Sequence, residues 1–174
     1  VQSTPNPDAR KFILNIDLRT GGKASFDDAN AAQHVPLAEE LLNLPSVVAV
    51  HFFENVITIT QDGKVEWPTL EEMVEGTLYS LAPDHDPKFS TAEEHRRSSL
   101  EPDHQKVESI FDEYIRPYLQ GDGGDVELIS LRDNIVTIRY EGACGTCPSA
   151  AAGTLQAIQG ALRDYYDPEV DVVT

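Results

Sequence analysis

Ile135-Val136-Thr137-Ile138-Arg139-Tyr140-Glu141-Gly142-Ala143-Cys144-Gly145-Thr146-Cys147-Pro148 leads from an alternating pattern into both cysteines of the chain. Val136, Ile138 and Tyr140 share one face, which predicts a strand over 135–140. Pro148 directly follows Cys147 and suits the first turn of a helix, where its missing N–H would be unpaired anyway. From Ser149 to Tyr166 the apolar positions Ala151, Leu155, Ile158, Leu162 and Tyr165 recur at steps of four and three, so the run reads as a helix with one buried face. Gly142 and Gly145 carry no Cβ, which lets the backbone curl around a bound atom and point N–H groups at sulfur.

The elements around this stretch fix the fold class. Upstream, Asp103 is placed to N-cap a helix ending near Leu119, with Val107, Ile110, Phe111, Tyr114, Ile115 and Tyr118 on its core face and Pro117 kinking or ending it. Gln120-Gly121-Asp122-Gly123-Gly124-Asp125 must turn sharply. A strand over 126–131 then meets the strand over 135–140 across Asp133-Asn134, a hairpin signal. Val170 to Val173 adds a short last strand after Pro168.

The first half repeats the idea with other elements. Gln2 to Asp8, broken by Pro5 and Pro7, reads as an extended arm. Lys11 to Leu18 alternates as a strand, Thr20 to Ala32 is a polar loop, and Pro36 opens a short helix carrying Leu37, Leu41, Leu42 and Leu44. Val47–Phe53 and Asn55–Gln61 form a hairpin, and Thr69 to Leu81 is a helix. Between the halves, 82–102 is rich in Pro, Ser and charge and poor in apolar residues. The expected class is therefore α+β, two small α/β sandwich-like domains spanning 1–82 and 103–174 and joined by a polar linker over 83–102.

Composition removes several functions. With 30 Asp and Glu against 13 Lys and Arg, a net charge of -17 leaves no basic patch for nucleic acid. No apolar run reaches the roughly 20 residues that cross a bilayer, so no membrane partner is expected. No signal peptide is evident. Two closely spaced cysteines do not make a secreted disulfide framework, which points to a reducing compartment, cytoplasmic in a bacterium or the mitochondrial matrix in a eukaryote. No Ser-His-Asp arrangement, phosphate loop or carboxylate pair stands out in the first half, and an enzyme is not expected.

Two thiols two residues apart can pack as buried structural side chains, cycle through a disulfide, hold zinc, or hold part of an iron-sulfur cluster. A thioredoxin-like exchanger needs a parallel βαβ unit before the motif and more strands after it. Here a hairpin precedes the motif, and only 27 residues follow Cys147. Zinc wants four ligands, and His34, His51, His85, His95 and His104 form no pair at ligand spacing. His85, His95 and His104 read as solvated residues in or beside the linker, and His51 as an ordinary strand residue. An iron-sulfur cluster also wants four thiolates, a demand met when two chains each give Cys144 and Cys147 about a two-fold axis. Cys147, at a helix N-terminus, would have its thiol pKa lowered.

Gly121-Asp122-Gly123-Gly124-Asp125-Val126 together with Gly142-Ala143-Cys144-Gly145-Thr146-Cys147-Pro148-Ser149 resembles the NifU C-terminal domain of Nfu-type iron-sulfur cluster scaffold and carrier proteins. Thr4-Pro5-Asn6-Pro7, Lys11-Phe12-Ile13 and the hairpin from Phe52 to Thr60 resemble the N-terminal domain that accompanies it. The resemblance implies that Cys144 and Cys147 bind a cluster, four-iron four-sulfur, shared across a homodimer. It also implies transfer of that cluster to apo recipient proteins, with upstream scaffolds as further partners. Gly123 and Gly124 are expected to supply turns, and Asp125 to cap or hydrogen-bond near the site. A thiol-disulfide redox module and a structural zinc dimer remain the alternative uses of the same pair.

Overall fold

Four strands of the first sheet bury apolar side chains in one core with two helices, and a fifth, two exposed polar residues long, pairs at its edge. The structure, a computed structural model, describes residues 1–91, 101–145 and 150–174. They fall into two units, Val1–Phe89 and Ser90–Thr174. The chain is α+β, with one sheet in each unit.

In the first unit the strands are β1 (Gln2–Ser3), β2 (Ala9–Ile13), β3 (Lys23–Phe26), β4 (Val47–Phe53) and β5 (Val56–Gln61). Their order is β1-β2-β5-β4-β3, antiparallel throughout. Helices α1 (Pro36–Leu42) and α2 (Trp67–Leu81) each carry a proline at the start, as the helix rule asks. Phe12, Phe26, Val50, Phe52, Ile57 and Ile59 of the sheet meet Leu37, Leu41, Leu70, Val74 and Leu78 of the helices in one core.

Several expectations fail here for local reasons. The amino-terminal arm contributes β1, pairing Gln2 with Lys11 and Ser3 with Arg10, because the Thr4–Pro7 turn folds it back. The expected strand over 11–18 ends at Ile13, where its partner β5 begins. Beyond it, Leu14 N–H donates to Asn55 O at 2.9 Å and Asn55 Nδ2 donates to Leu14 O at 2.7 Å. The expected polar loop over 20–32 holds β3, whose Ala24 and Phe26 point into the core; four residues between glycines and aspartates are too few to reveal a period.

Part of the expected linker also packs. Ala82–Asp84 forms a 3₁₀ turn, and Phe89 is buried in the first core. His85, expected in solvent, stacks on Phe52 with ring centroids 5.7 Å apart, its Nε2 lying 2.7 Å from Leu18 O. His95 lies outside the described residues.

The second unit opens with α3 (Pro102–Ile110), a π-helical turn (Phe111–Ile115) and α4 (Arg116–Gly121), which run on as one helix over 102–121. Pro102, with Glu101 as N-cap, starts it, so Asp103 lies in the first turn instead of capping it. Pro117 neither ends nor breaks the helix. Proline clashes with the carbonyl four residues back, and the wider π turn just before it absorbs that clash. The extra residue also moves the buried stripe to Val107, Phe111, Ile115 and Leu119, leaving Tyr118 exposed where simple periodicity buries it.

Strands β6 (Gly124–Arg132) and β7 (Ile135–Gly142) form a hairpin, with φ of 50° at Asp133 and 61° at Asn134 as the favoured two-residue turn requires. From β7 the chain passes through α5 (Ala150–Tyr165) to β8 (Asp171–Val173), which pairs parallel to β7. Ile158 and Leu162 of α5 close the core against Val126, Leu128, Val136 and Ile138. Tyr165, expected on that face, is exposed and stacks on Tyr114 at 4.3 Å, while Tyr166 packs on the core. Among the described residues no helix is long and apolar enough to cross a membrane.

Candidate functional site

Cys144 lies two residues beyond β7, where Gly142 at φ 58° turns the chain back on itself. Ala143 N–H donates to Gly123 O at 3.0 Å, which ties this turn to the glycine loop ahead of β6. Cys144 N–H donates to Glu141 O at 3.3 Å and Gly145 N–H to Gly142 O at 3.1 Å. These three N–H groups are thus engaged by carbonyls, and those of residues 146–149 lie outside the described residues. Cys144 itself is buried, 8% exposed, and belongs to the second core.

Gly124 makes room for it. A Cβ on Gly124 would collide with Cys144 Sγ and lie 2.9 Å from both Cys144 Cβ and Cys144 N. The role expected for Gly124, a tight turn, belongs to Gly123, whose φ is 79°; Gly124 is required by contact with the cysteine. Gly145 folds back over the strand end, its Cβ position 3.2 Å from Tyr140 O.

Asp125 is fully buried and bonded. Its Oδ1 accepts from Arg116 Nε at 3.1 Å and from Val126 N–H at 2.6 Å, and its Oδ2 from Gln120 Nε2 at 3.0 Å. Arg116, 4% exposed, also donates to Glu108 Oε2 at 2.7 Å, to Val126 O at 3.1 Å and to Asp112. Burial alone would lower the guanidinium pKa. The carboxylates of Glu108, Asp125 and Asp112 outweigh it and raise the value, so this group stays charged. The ion cluster clamps the helix over 102–121 to the start of β6, beside the contact between Gly124 and Cys144.

Tyr140 on β7 is the other polar group here. It packs on the core that contains Cys144, yet its hydroxyl is buried with no hydrogen-bond partner among the described residues. Burial, and then the charge of Cys144, push its pKa up to about 12. Sequence reasoning missed both Tyr140 and Arg116. Tyr140 counted as a core residue of an alternating strand. Arg116 left one signal, a cation four residues after Asp112 and eight after Glu108 in a stretch with apolar Val107, Phe111 and Ile115 beside it.

Of the two expected ligands, the structure places Cys144, and Cys147 lies outside the described residues. The histidines are scattered. His34 is exposed and edge-on to Phe26 at 5.9 Å, and His51 is buried with Nδ1 2.7 Å from Ser25 Oγ. His104, expected in solvent, is half-buried. Among the described residues no three His, Cys, Asp or Glu side chains gather as a metal site.

Comparison with known proteins assigns both units. Residues 1–83 match the family model described as the scaffold protein Nfu/NifU N terminal, and residues 107–173 match the NifU-like domain. This chain belongs to the Nfu-type family. Its Nfu relatives include the mitochondrial NFU1 iron-sulfur cluster scaffold homologs of Drosophila persimilis and Drosophila grimshawi, 30% and 33% identical over 177 residues. Each alignment covers 99% of this Nfu chain and 62% or 59% of the fly protein, so the chain spans about three-fifths of those relatives. The X-ray structure of protein SAV1430 from Staphylococcus aureus matches 44% of this chain and 92% of its own, at TM-score 0.40 and 17% identity.

Proposed function

We propose that this Nfu-type chain is an iron-sulfur cluster assembly protein and not an enzyme, holding a labile four-iron four-sulfur cluster as cargo through Cys144 and Cys147 of each of two chains. The observation that carries the reading is the seat of Cys144, a core cysteine pressed against a glycine in the turn that leads to Cys147, within a NifU-like domain. The fly relatives are named as iron-sulfur cluster scaffolds, which supports the same cargo. A cluster of this type takes four thiolates, and each chain has two cysteines, so a homodimer completes the set. A cluster held by so few protein groups suits transfer to apo recipient proteins and receipt from an upstream scaffold. Thiolates must stay reduced to serve, which fits a mitochondrial matrix or a bacterial cytoplasm.

Anaerobic addition of ferrous iron and sulfide to the reduced protein tests this. The expected product is brown, dimeric by native mass, and carries about four irons and four sulfides per two chains. Cys144→Ser and Cys147→Ser each lose the visible band. A colourless monomer with a Cys144–Cys147 disulfide of defined potential would assign the pair to redox exchange. A colourless dimer that takes up zinc instead would assign it to a structural site.

A further inference from the structure

We infer that the Tyr140 hydroxyl is a hydrogen-bond donor to the sulfur of the cargo held at Cys144, a positioning contact that slows its release. The inference rests on the cluster reading above and adds a residue to it. Three observations converge. The hydroxyl oxygen is buried and has no partner among the described residues, although a buried phenol without a partner is costly and rare. The N–H groups of Ala143, Cys144 and Gly145 are engaged by the carbonyls of Gly123, Glu141 and Gly142. The strand and the fold-back at Gly142 put Tyr140 and Cys144 in the same core, with Gly145 lying over the Tyr140 backbone.

A phenol is a donor at neutral pH, and thiolate or bridging sulfide is the acceptor that arrives with the cargo. Hydrogen bonds to sulfur are one of the levers that set the potential of such clusters. Thr58 Oγ1 and Thr60 Oγ1 on β5 are also buried without a partner among the described residues, so what singles out Tyr140 is its place in the core that holds Cys144. Among the described residues the Tyr140 hydroxyl has no acceptor, and what binds at Cys144 can supply one.

Tyr140→Phe removes the hydroxyl and keeps the ring, and Tyr140→Leu removes both. The parent and both variants are compared without cargo by thermal melting, then after anaerobic loading by chelator-driven loss of the visible band and by the cluster potential. Without cargo, Tyr140→Phe should melt at or above the parent, because an unpartnered hydroxyl is gone. With cargo, both variants should release the cluster about three to ten times faster, the loss expected for one hydrogen bond, and their potential should move negative. Equal release rates and potentials in parent and Tyr140→Phe would overturn the inference while leaving the cluster reading intact. A lower apo melting point for Tyr140→Phe would overturn it too, by giving the hydroxyl a structural role. A parent that takes up no cluster would overturn both readings together.

Discussion

Gly124 sits on β6 opposite Gly142, and its missing side chain is the space that Cys144 fills. Gly124→Ala therefore puts a methyl group into a sulfur, a Cβ and a backbone nitrogen at once, in a place where the backbone cannot give. The expected cost is about 1–3 kcal/mol of overpacking, read as a lower urea midpoint, together with lost cluster loading. Gly160 on α5 is the contrast, since a Cβ there meets nothing within 4 Å. Gly160→Ala should leave loading alone and stabilise by about 0.5–1 kcal/mol, the helix preference of alanine over glycine. If both substitutions lower the midpoint alike, Gly124 is ordinary strand glycine and the contact with Cys144 does not matter.

At the scale of elements, the π turn over 111–115 decides what the long helix presents to the sheet. One inserted residue rotates the next turn, so Leu119 and Arg116 face inward and Tyr118 outward. Two buried carboxylates, Glu108 and Asp125, then share the charge of one guanidinium. Arg116→Met should cost about 3–5 kcal/mol, because it removes the cation that both buried carboxylates pair with. Arg116→Lys should fall between the two, since a single ammonium cannot reproduce the fork that serves Glu108, Asp112 and Asp125 together. Chemical denaturation of the three proteins at neutral pH gives the order, and an equal midpoint for Arg116→Met would remove the ion cluster from the account. The hairpins and the helices α1, α2 and α5 were legible in the sequence, because period, turn residues and proline position are local signals. Strand β3 was too short for its period to be seen. The π turn was illegible because a one-residue insertion in a helix leaves only Pro117 as a trace, and with it went the positions of Tyr118 and Arg116. The lone hydroxyl of Tyr140 depends on what surrounds it in space, which no alternation along a strand can report.

For the molecule as a whole, the two hydrophobic cores share no residue among the described ones. The described buried residues of the first run from Phe12 to Phe89, and those of the second from Val107 to Val172. Each core is closed by its own sheet and its own helices, which makes each unit large enough to fold alone. The matched domains divide at the same place, at 1–83 and 107–173. Cys144 and Cys147, the Gly124 and Tyr140 beside Cys144, and the Arg116–Asp125 clamp all lie in the second of them. A fragment of residues 90–174 should therefore melt cooperatively with the far-ultraviolet signature of a mixed helix and sheet protein. It should also take up the same iron and sulfide per chain as the full protein, while residues 1–89 alone fold and take up none. The first unit would then be free to serve recognition of donors or recipients, a role read from slower cluster transfer by the fragment at unchanged loading. A fragment 90–174 that folds yet stays colourless would mean that the first unit takes part in holding the cluster, and the assignment of the site to Cys144 and its neighbours alone would have to be abandoned.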